Sequence, residues 1–240
     1  MIASIQENIT AVQQSFLQGK ALAEQCNVAT FHPPKAILCN PFLSAYYEGA
    51  SYYFACTFID NLAANWHHFL LQHPAHETQI CVGLGWALAE NSKTDIAALC
   101  SFLPEHLQQK VADGFGFYEG TFRKRKVLAS TLPQLNPNYH HSYYTGVGRS
   151  CWYNCKGDAV AVQQQISSLP EQYQPYCWQG IGIAFTYVGG FTANEIEAIK
   201  ALAKQHLSNV AAGAALCYAS RKKAMLLTHD AITAHSSFKA

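Results

Sequence analysis

Residues Thr145–Trp152 read TGVGRSCW, a glycine-x-glycine followed at once by an arginine. In a nucleotide site such a run is a turn between strand and helix, and its backbone N–H groups cradle a phosphate. Little strand-like sequence precedes it here. No acidic residue follows at the distance a dinucleotide fold requires. The competing reading is packing: glycines that let two helices approach. Arg149 stands out under either reading. It is a permanent charge among apolar neighbours and needs an acceptor. Asp113 and Glu119 are its candidate carboxylate partners, and a ligand contact is the other possibility.

Other groups could carry chemistry. Cys151 and Cys155 lie four apart on one helical face, but a zinc site normally needs four ligands and no second pair has suitable spacing. WHHFLLQHPAHE brings His67, His68, His73 and His76 close in sequence to Glu77, the densest metal-ligand types in the chain. It crosses a helix end and a proline turn, so these residues are weak metal candidates; His140 and His141 are similarly weak. The chain has no GxSxG, HExxH or Walker A run, and no carboxylate dyad stands out. No metal and no cofactor is expected. RKRK at Arg123–Lys126 and RKK at Arg221–Lys223 read as cations complementing helix C-termini, or as a patch for an anionic partner.

The elements that position these residues follow from a repeat. Six segments align on a small-x-small core: EGASYYF at Gly49, VGLGWAL at Gly83 and Gly85, DGFGFYE at Gly114 and Gly116, TGVGRSC at Gly146 and Gly148, QGIGIAF at Gly180 and Gly182, and AGAALCY at Gly213. Their first glycines are 34, 31, 32, 34 and 33 residues apart, the period of helix-hairpin repeats. Each unit reads as a short amphipathic helix, a break, then a longer helix carrying the glycines. Asp95, Asp158 and Thr192 sit where first helices start and can cap them. Pro104, Pro133 and Pro170 separate the two helices of a unit. Glycine costs a helix about 1 kcal/mol relative to alanine. That cost is offset if bare backbones pack against each other, and the glycines are therefore structural.

The predicted fold is all-α: about six tandem hairpins of 31–34 residues forming an α-solenoid, with a closed α/α toroid as the alternative. We expect a single helical-repeat domain, with residues 1–40 a cap, 41–227 the repeats and 228–240 a tail. Half the residues are hydrophobic and 13% are charged, which suits a large core. A net charge of +1 argues against nucleic-acid binding. Nine cysteines, odd in number and mostly in apolar runs, suggest reduced thiols. No membrane span and no secretory signal are expected, so the cytoplasm is the expected location.

VADGFGFYEGTFRKRK, YYTGVGRSCWYNCKGD, WQGIGIAFTYVGG and AAGAALCYASRKK carry a family resemblance. Over Pro41–Ala240 the chain resembles an uncharacterised bacterial family met in enediyne biosynthesis gene clusters. The resemblance implies an accessory role near a polyketide pathway and marks Asp113, Arg149, Trp152 and Trp178 as motif positions. In a curved stack one helix of each pair lines the concave face, where tyrosine and tryptophan suit a peptide or an elongated apolar ligand. The expected function is a non-catalytic binding protein whose groove takes a protein segment or an elongated apolar metabolite. Its candidate binding residues are Arg149, Asp113, Trp152, Trp178, Tyr118 and Tyr144. The alternative is an enzyme, or an enzyme's accessory, acting on a polyene or polyketide-type substrate in an enclosed pocket.

Overall fold

Every glycine-bearing segment is a helix. The computed structural model describes residues 3–128 and 135–239, and among these the regular elements are helical throughout. In chain order they are α1 (Ile5–Ala23), α2 (Leu43–Thr57), α3 (Trp66–Gln72), α4 (Glu77–Glu90), α5 (Ile96–Leu99), α6 (Glu105–Phe122), α7 (Lys124–Leu128), α8 (His140–Asn154), α9 (Ala159–Ser167), α10 (Gln174–Val188), α11 (Ala193–Ala203), α12 (Leu207–Lys223) and α13 (His229–Phe238). The longer helices α1, α2, α4, α6, α8, α10 and α12 pack side by side in that order, and the shorter ones lie behind them. This is the solenoid-like, all-α stack expected.

Sequence chemistry sets the boundaries. The Asp95 carboxylate accepts from the Ala98 N–H at the start of α5, and Asp158 accepts from Val160 and Ala161 at the start of α9. Thr192 and Glu195 form a reciprocal capping box on α11. Pro104 immediately precedes α6, and Pro170 precedes the short 3-10 turn that opens α10. Pro133 lies outside the described residues.

The two glycines of each pair serve different neighbours. A Cβ on Gly146 would collide with the Asp113 carbonyl of the preceding long helix, α6. A Cβ on Gly148 would collide with the Cys177 carbonyl of the following one, α10. The glycine pairs of α4, α6 and α10 divide their contacts in the same way. Positions two apart lie on nearly opposite sides of a helix, so a helix with a long neighbour on each side needs a small residue at both. The last helix needs one. In α12 Gly213 faces α10 and the second position is Ala215. In α2 Gly49 faces α1, while Ser51 takes the second position and donates its hydroxyl to the Ile80 carbonyl at 2.6 Å. The first helix joins the same scheme through Gly19, set against the Tyr46 carbonyl.

With long neighbours on both sides and a layer behind, a central long helix keeps little solvent face. In α8 every residue from Tyr143 to Trp152 is buried. The core lies between the long helices and the outer layer.

The stack curves until its ends touch. Asn8 donates to the Val188 carbonyl at 3.0 Å, and the Ala45 N–H donates to the Tyr187 hydroxyl at 3.1 Å. Arg221 reaches the Pro41 carbonyl at 2.9 Å, and Lys223 pairs with Glu77 at 2.6 Å. The long helices therefore surround a shared concave space.

Candidate functional site: a cavity lined by the seven long helices

Parallel helices in one register present equivalent positions to the concave side. Counted from the first glycine of each segment, the residues at −1, +3 and +7 lie one turn apart on a single face. That face supplies Val82 and Trp86 of α4, Asp113, Phe117 and Thr121 of α6, Arg149 and Tyr153 of α8, and Ile183 and Tyr187 of α10. Glu48 holds the −1 position of α2. With contributions from α1 and α12, these residues line a cavity of about 620 Å³. A second space of about 300 Å³ adjoins it, sharing Lys110, Asp113, Ile183 and Leu216 and adding polar groups from Gln109, His141, Ser142 and Gln179. Leu17, Phe122 and Leu216 line the main cavity and are also exposed to solvent, so its mouth has an apolar rim.

The polar wall is built around Arg149, only 9% exposed. One arm of its guanidinium is hydrogen-bonded to the Asp113 carboxylate, and its carbon sits 4.6 Å from the centre of the Phe117 ring. Of the two carboxylates expected for it, Asp113 is the partner. Glu119 instead accepts from the Tyr143 hydroxyl at 2.8 Å and faces Arg123 at 3.4 Å. Among the described residues Arg149 has no other hydrogen-bond acceptor, and its other N–H groups are not sealed from the cavity it lines. Burial works against its charge, but Asp113 and Glu48 outweigh that effect and hold it more firmly protonated.

Glu48 is the unusual member. It is 6% exposed and lines the cavity, and among the described residues no donor lies within hydrogen-bond reach of its carboxyl. Burial pushes its pKa up to about 7. Arg149 pulls it down and Asp113 pushes it further up. Burial likewise raises the pKa values of the Tyr153 and Tyr187 phenols, against the pull of nearby arginines. Arg221 closes one side: its guanidinium donates to the carbonyls of Pro41, Leu226 and Tyr187 and stacks 4.5 Å from the Tyr187 ring.

The expected binding residues divide sharply. Asp113 and Arg149 meet in the cavity. Trp152 packs edge-on against Phe185, and Tyr144 stacks on Tyr173 at 3.8 Å; both are buried in the core, as is Trp178. Tyr118 packs on Phe122 and Trp86. None of these four lines either space. The four histidines do not form one group. His73 and His76 both pack on Tyr47, and His76 also contacts Ser44; His67 packs on Phe102, and His68 contacts Gln72. Among the described residues no three His, Cys, Asp or Glu side chains are grouped to hold a metal ion. No described helix is long and apolar enough to cross a membrane.

The glycine register thus binds the whole chain into one repeating unit, and one family model spans it, over residues 2–240. The chain belongs to DUF1702, a family described as proteins of unknown function. The match takes in α1 as well as the stretch from Pro41 on which the resemblance rested. This agrees with Gly19 seating α1 like its neighbours. Comparison of this DUF1702 protein with curated proteins and with solved structures finds no match.

Residue type alone does not single out Glu48, Trp86, Tyr153 or Tyr187. A usable signal was present. Aligned on the first glycine, the −1, +3 and +7 columns collect the cavity residues, and the −1 column holds both Glu48 and Asp113.

Proposed function

We propose that this DUF1702 protein is a non-catalytic binding protein that holds an elongated, largely apolar small molecule between its long helices. The observation that supports this reading is the cavity to which all seven long helices contribute. Its volume falls in the range of about 300–1,000 Å³ typical of small-molecule sites, and its wall is mostly apolar with a few convergent polar groups. That size favours the small-molecule form of the expectation over a protein segment. The resemblance to the family met in enediyne clusters suggests an unsaturated, polyketide-type chain as the ligand and an accessory role in its pathway, with the cytoplasm as the place of action.

A catalytic reading draws on one feature. Glu48 is a carboxyl that changes charge near neutral pH beside an arginine with open donors, and shifted groups in a cleft are candidates for proton transfer. An unsaturated substrate turned over in this cavity would need Glu48, whereas simple retention would not.

The test is to fill the space. Ile183→Trp places a large side chain at the +3 position of α10, where the main and adjoining spaces meet. A neutral polarity-sensitive dye such as Nile red should bind the wild type at a single site and lose at least tenfold in affinity in the variant. Equal binding by both proteins would remove the basis of the reading.

A further inference from the structure

The charges on the cavity wall do not balance. Arg149 is answered by Asp113, and Lys223 by Glu77 at 2.6 Å. Lys110 and Arg221 also line the space, and among the described residues neither has a carboxylate within ion-pair distance. Glu48 is the remaining carboxyl on the wall. It too makes no ion pair, although it is surrounded by protein. Arg221 is met by three backbone carbonyls and Lys110 is half-buried, but the formal charge of the wall is positive and a ligand can offset it.

The hydrogen-bonding capacity of the wall is biased in the same direction. Arg149 has N–H groups left over from its bond to Asp113, and the Tyr153 hydroxyl has no protein partner among the described residues. Tyr187 accepts from the Ala45 N–H and keeps its own proton to donate. The Glu48 carboxyl and the buried Gln79 Oε1 are acceptors on the wall without a protein partner, but the free donors of Arg149, Tyr153 and Tyr187 outnumber them. A molecule that offered only donors would leave these groups unmet, which is costly in a dry site.

We propose that the ligand of this cavity carries a carboxylate at its polar end, received by the open donors of Arg149 with Glu48 in its protonated form beside it. The proposal rests on the cavity being a small-molecule site, and it adds the chemical class: a long-chain carboxylic acid. Asp113 and the entering carboxylate share the guanidinium of Arg149. A third ionised carboxylate beside them would have no cation to answer it, so Glu48 keeps its proton when the acid enters.

Glu48 is faced by Asp113 from α6, Arg149 and Tyr153 from α8, and Tyr187 from α10. The cavity walls of α1 and α4 present no titratable side chain, and α12 adds Cys217, Arg221 and Lys223. Glu48 is the group in this set that burial brings to about pH 7. Below that pH the site is ready for a carboxylate. Above it, binding must take up a proton, so affinity weakens by about tenfold per unit of pH.

The experiment compares dodecanoic acid, 1-dodecanol and dodecylamine by titration calorimetry on the full chain, each below its aggregation limit. The acid should bind at least tenfold tighter than the other two at pH 6. Its affinity should fall about tenfold between pH 6 and pH 8, and at pH 8 binding should consume close to one proton, read from buffers of different ionisation heat. Glu48→Gln should make the affinity for the acid flat across that range; the proton count on the wild type gives the same answer should this variant fold poorly. An alcohol or amine bound as tightly as the acid would overturn the carboxylate proposal and leave the cavity reading standing. Failure of all three chains to bind, or binding of the acid undiminished in Ile183→Trp, would overturn both.

Discussion

Glu48 and Asp113 hold the same place in the repeat, one residue before the first glycine of their helices, yet only Asp113 is in contact with an arginine. The difference comes from neighbours. Asp113 has Arg149 on the adjoining long helix, four residues beyond the −1 position of α8. The equivalent positions on α4 hold Val82 and Trp86, so Glu48 meets apolar groups on that side. One carboxylate is therefore fixed in an ion pair, and the other is left to titrate inside the cavity.

Stability should record that difference. With a folded pKa near 7, above the ordinary 4.5, Glu48 keeps a proton in the folded state that the unfolded chain releases. Its contribution is complete below about pH 4.5 and is lost as pH rises through 7. Glu48→Gln should therefore be more stable than the wild type by about 3 kcal/mol at pH 8, with the gap closing toward pH 5. His73 and His76, lowered to about 4 by burial, act in the opposite sense. Their contribution is present above about pH 6.5 and is lost as pH falls through 4. It is common to both proteins and cancels in the difference. Urea unfolding of the pair across pH 5–8 measures the gap.

The Arg149–Asp113 bridge should behave as a desolvated pair. Asp113→Ala should cost about 3–5 kcal/mol because it leaves a buried guanidinium unanswered. Asp113→Leu combined with Arg149→Met should recover most of that loss, since apolar replacements of similar size need no partner. Chemical denaturation of the single and double variants decides the point. A double variant no more stable than Asp113→Ala would show that the bridge is not the source of the cost.

Glycine-to-alanine substitutions should split by position. In an open helix the change stabilises by about 1 kcal/mol. Gly116→Ala and Gly148→Ala should instead destabilise by about 1–3 kcal/mol, because the new methyl meets a carbonyl of the adjoining helix. The reverse change, Ala215→Gly, sits at the second position of a helix with no long helix beyond it. It should cost about 1 kcal/mol through propensity alone. Thermal and urea midpoints of the three variants separate packing from propensity.

Thiol reactivity should follow burial. Cys39 is exposed and should react with a disulfide reagent at once. Cys81, Cys100, Cys151 and Cys177 are buried away from the cavity, and burial raises the pKa of each. They should react only as fast as the chain opens. Counting thiols modified against time, with and without denaturant, tests this. Rapid modification of any of these four would contradict the packing described.

The periodic glycines, the capping residues and the prolines made the helices and their sideways contact legible, because each reports a local requirement: a close approach, a free N–H group, a missing donor. A carboxylate partner for Arg149 was legible for the same kind of reason, since a buried guanidinium demands one, but the choice of Asp113 over Glu119 came from the tertiary structure. Trp152, Trp178, Tyr118 and Tyr144 lie outside the lining of both spaces. A large aromatic serves equally well between helices and on a concave wall, and composition does not say which way it points.

The amino-acid sequence by itself determined the helical repeat and its bare-backbone packing, because those interactions recur every 31–34 residues and leave a periodic mark. The tertiary structure alone decided where the site lies. The curvature that brings Lys223 to Glu77 and Arg221 to Pro41 is the sum of small rotations over seven long helices. No single residue encodes that sum, and it is this curvature that gathers Glu48, Asp113 and Arg149, spread over about a hundred residues of chain, around one cavity.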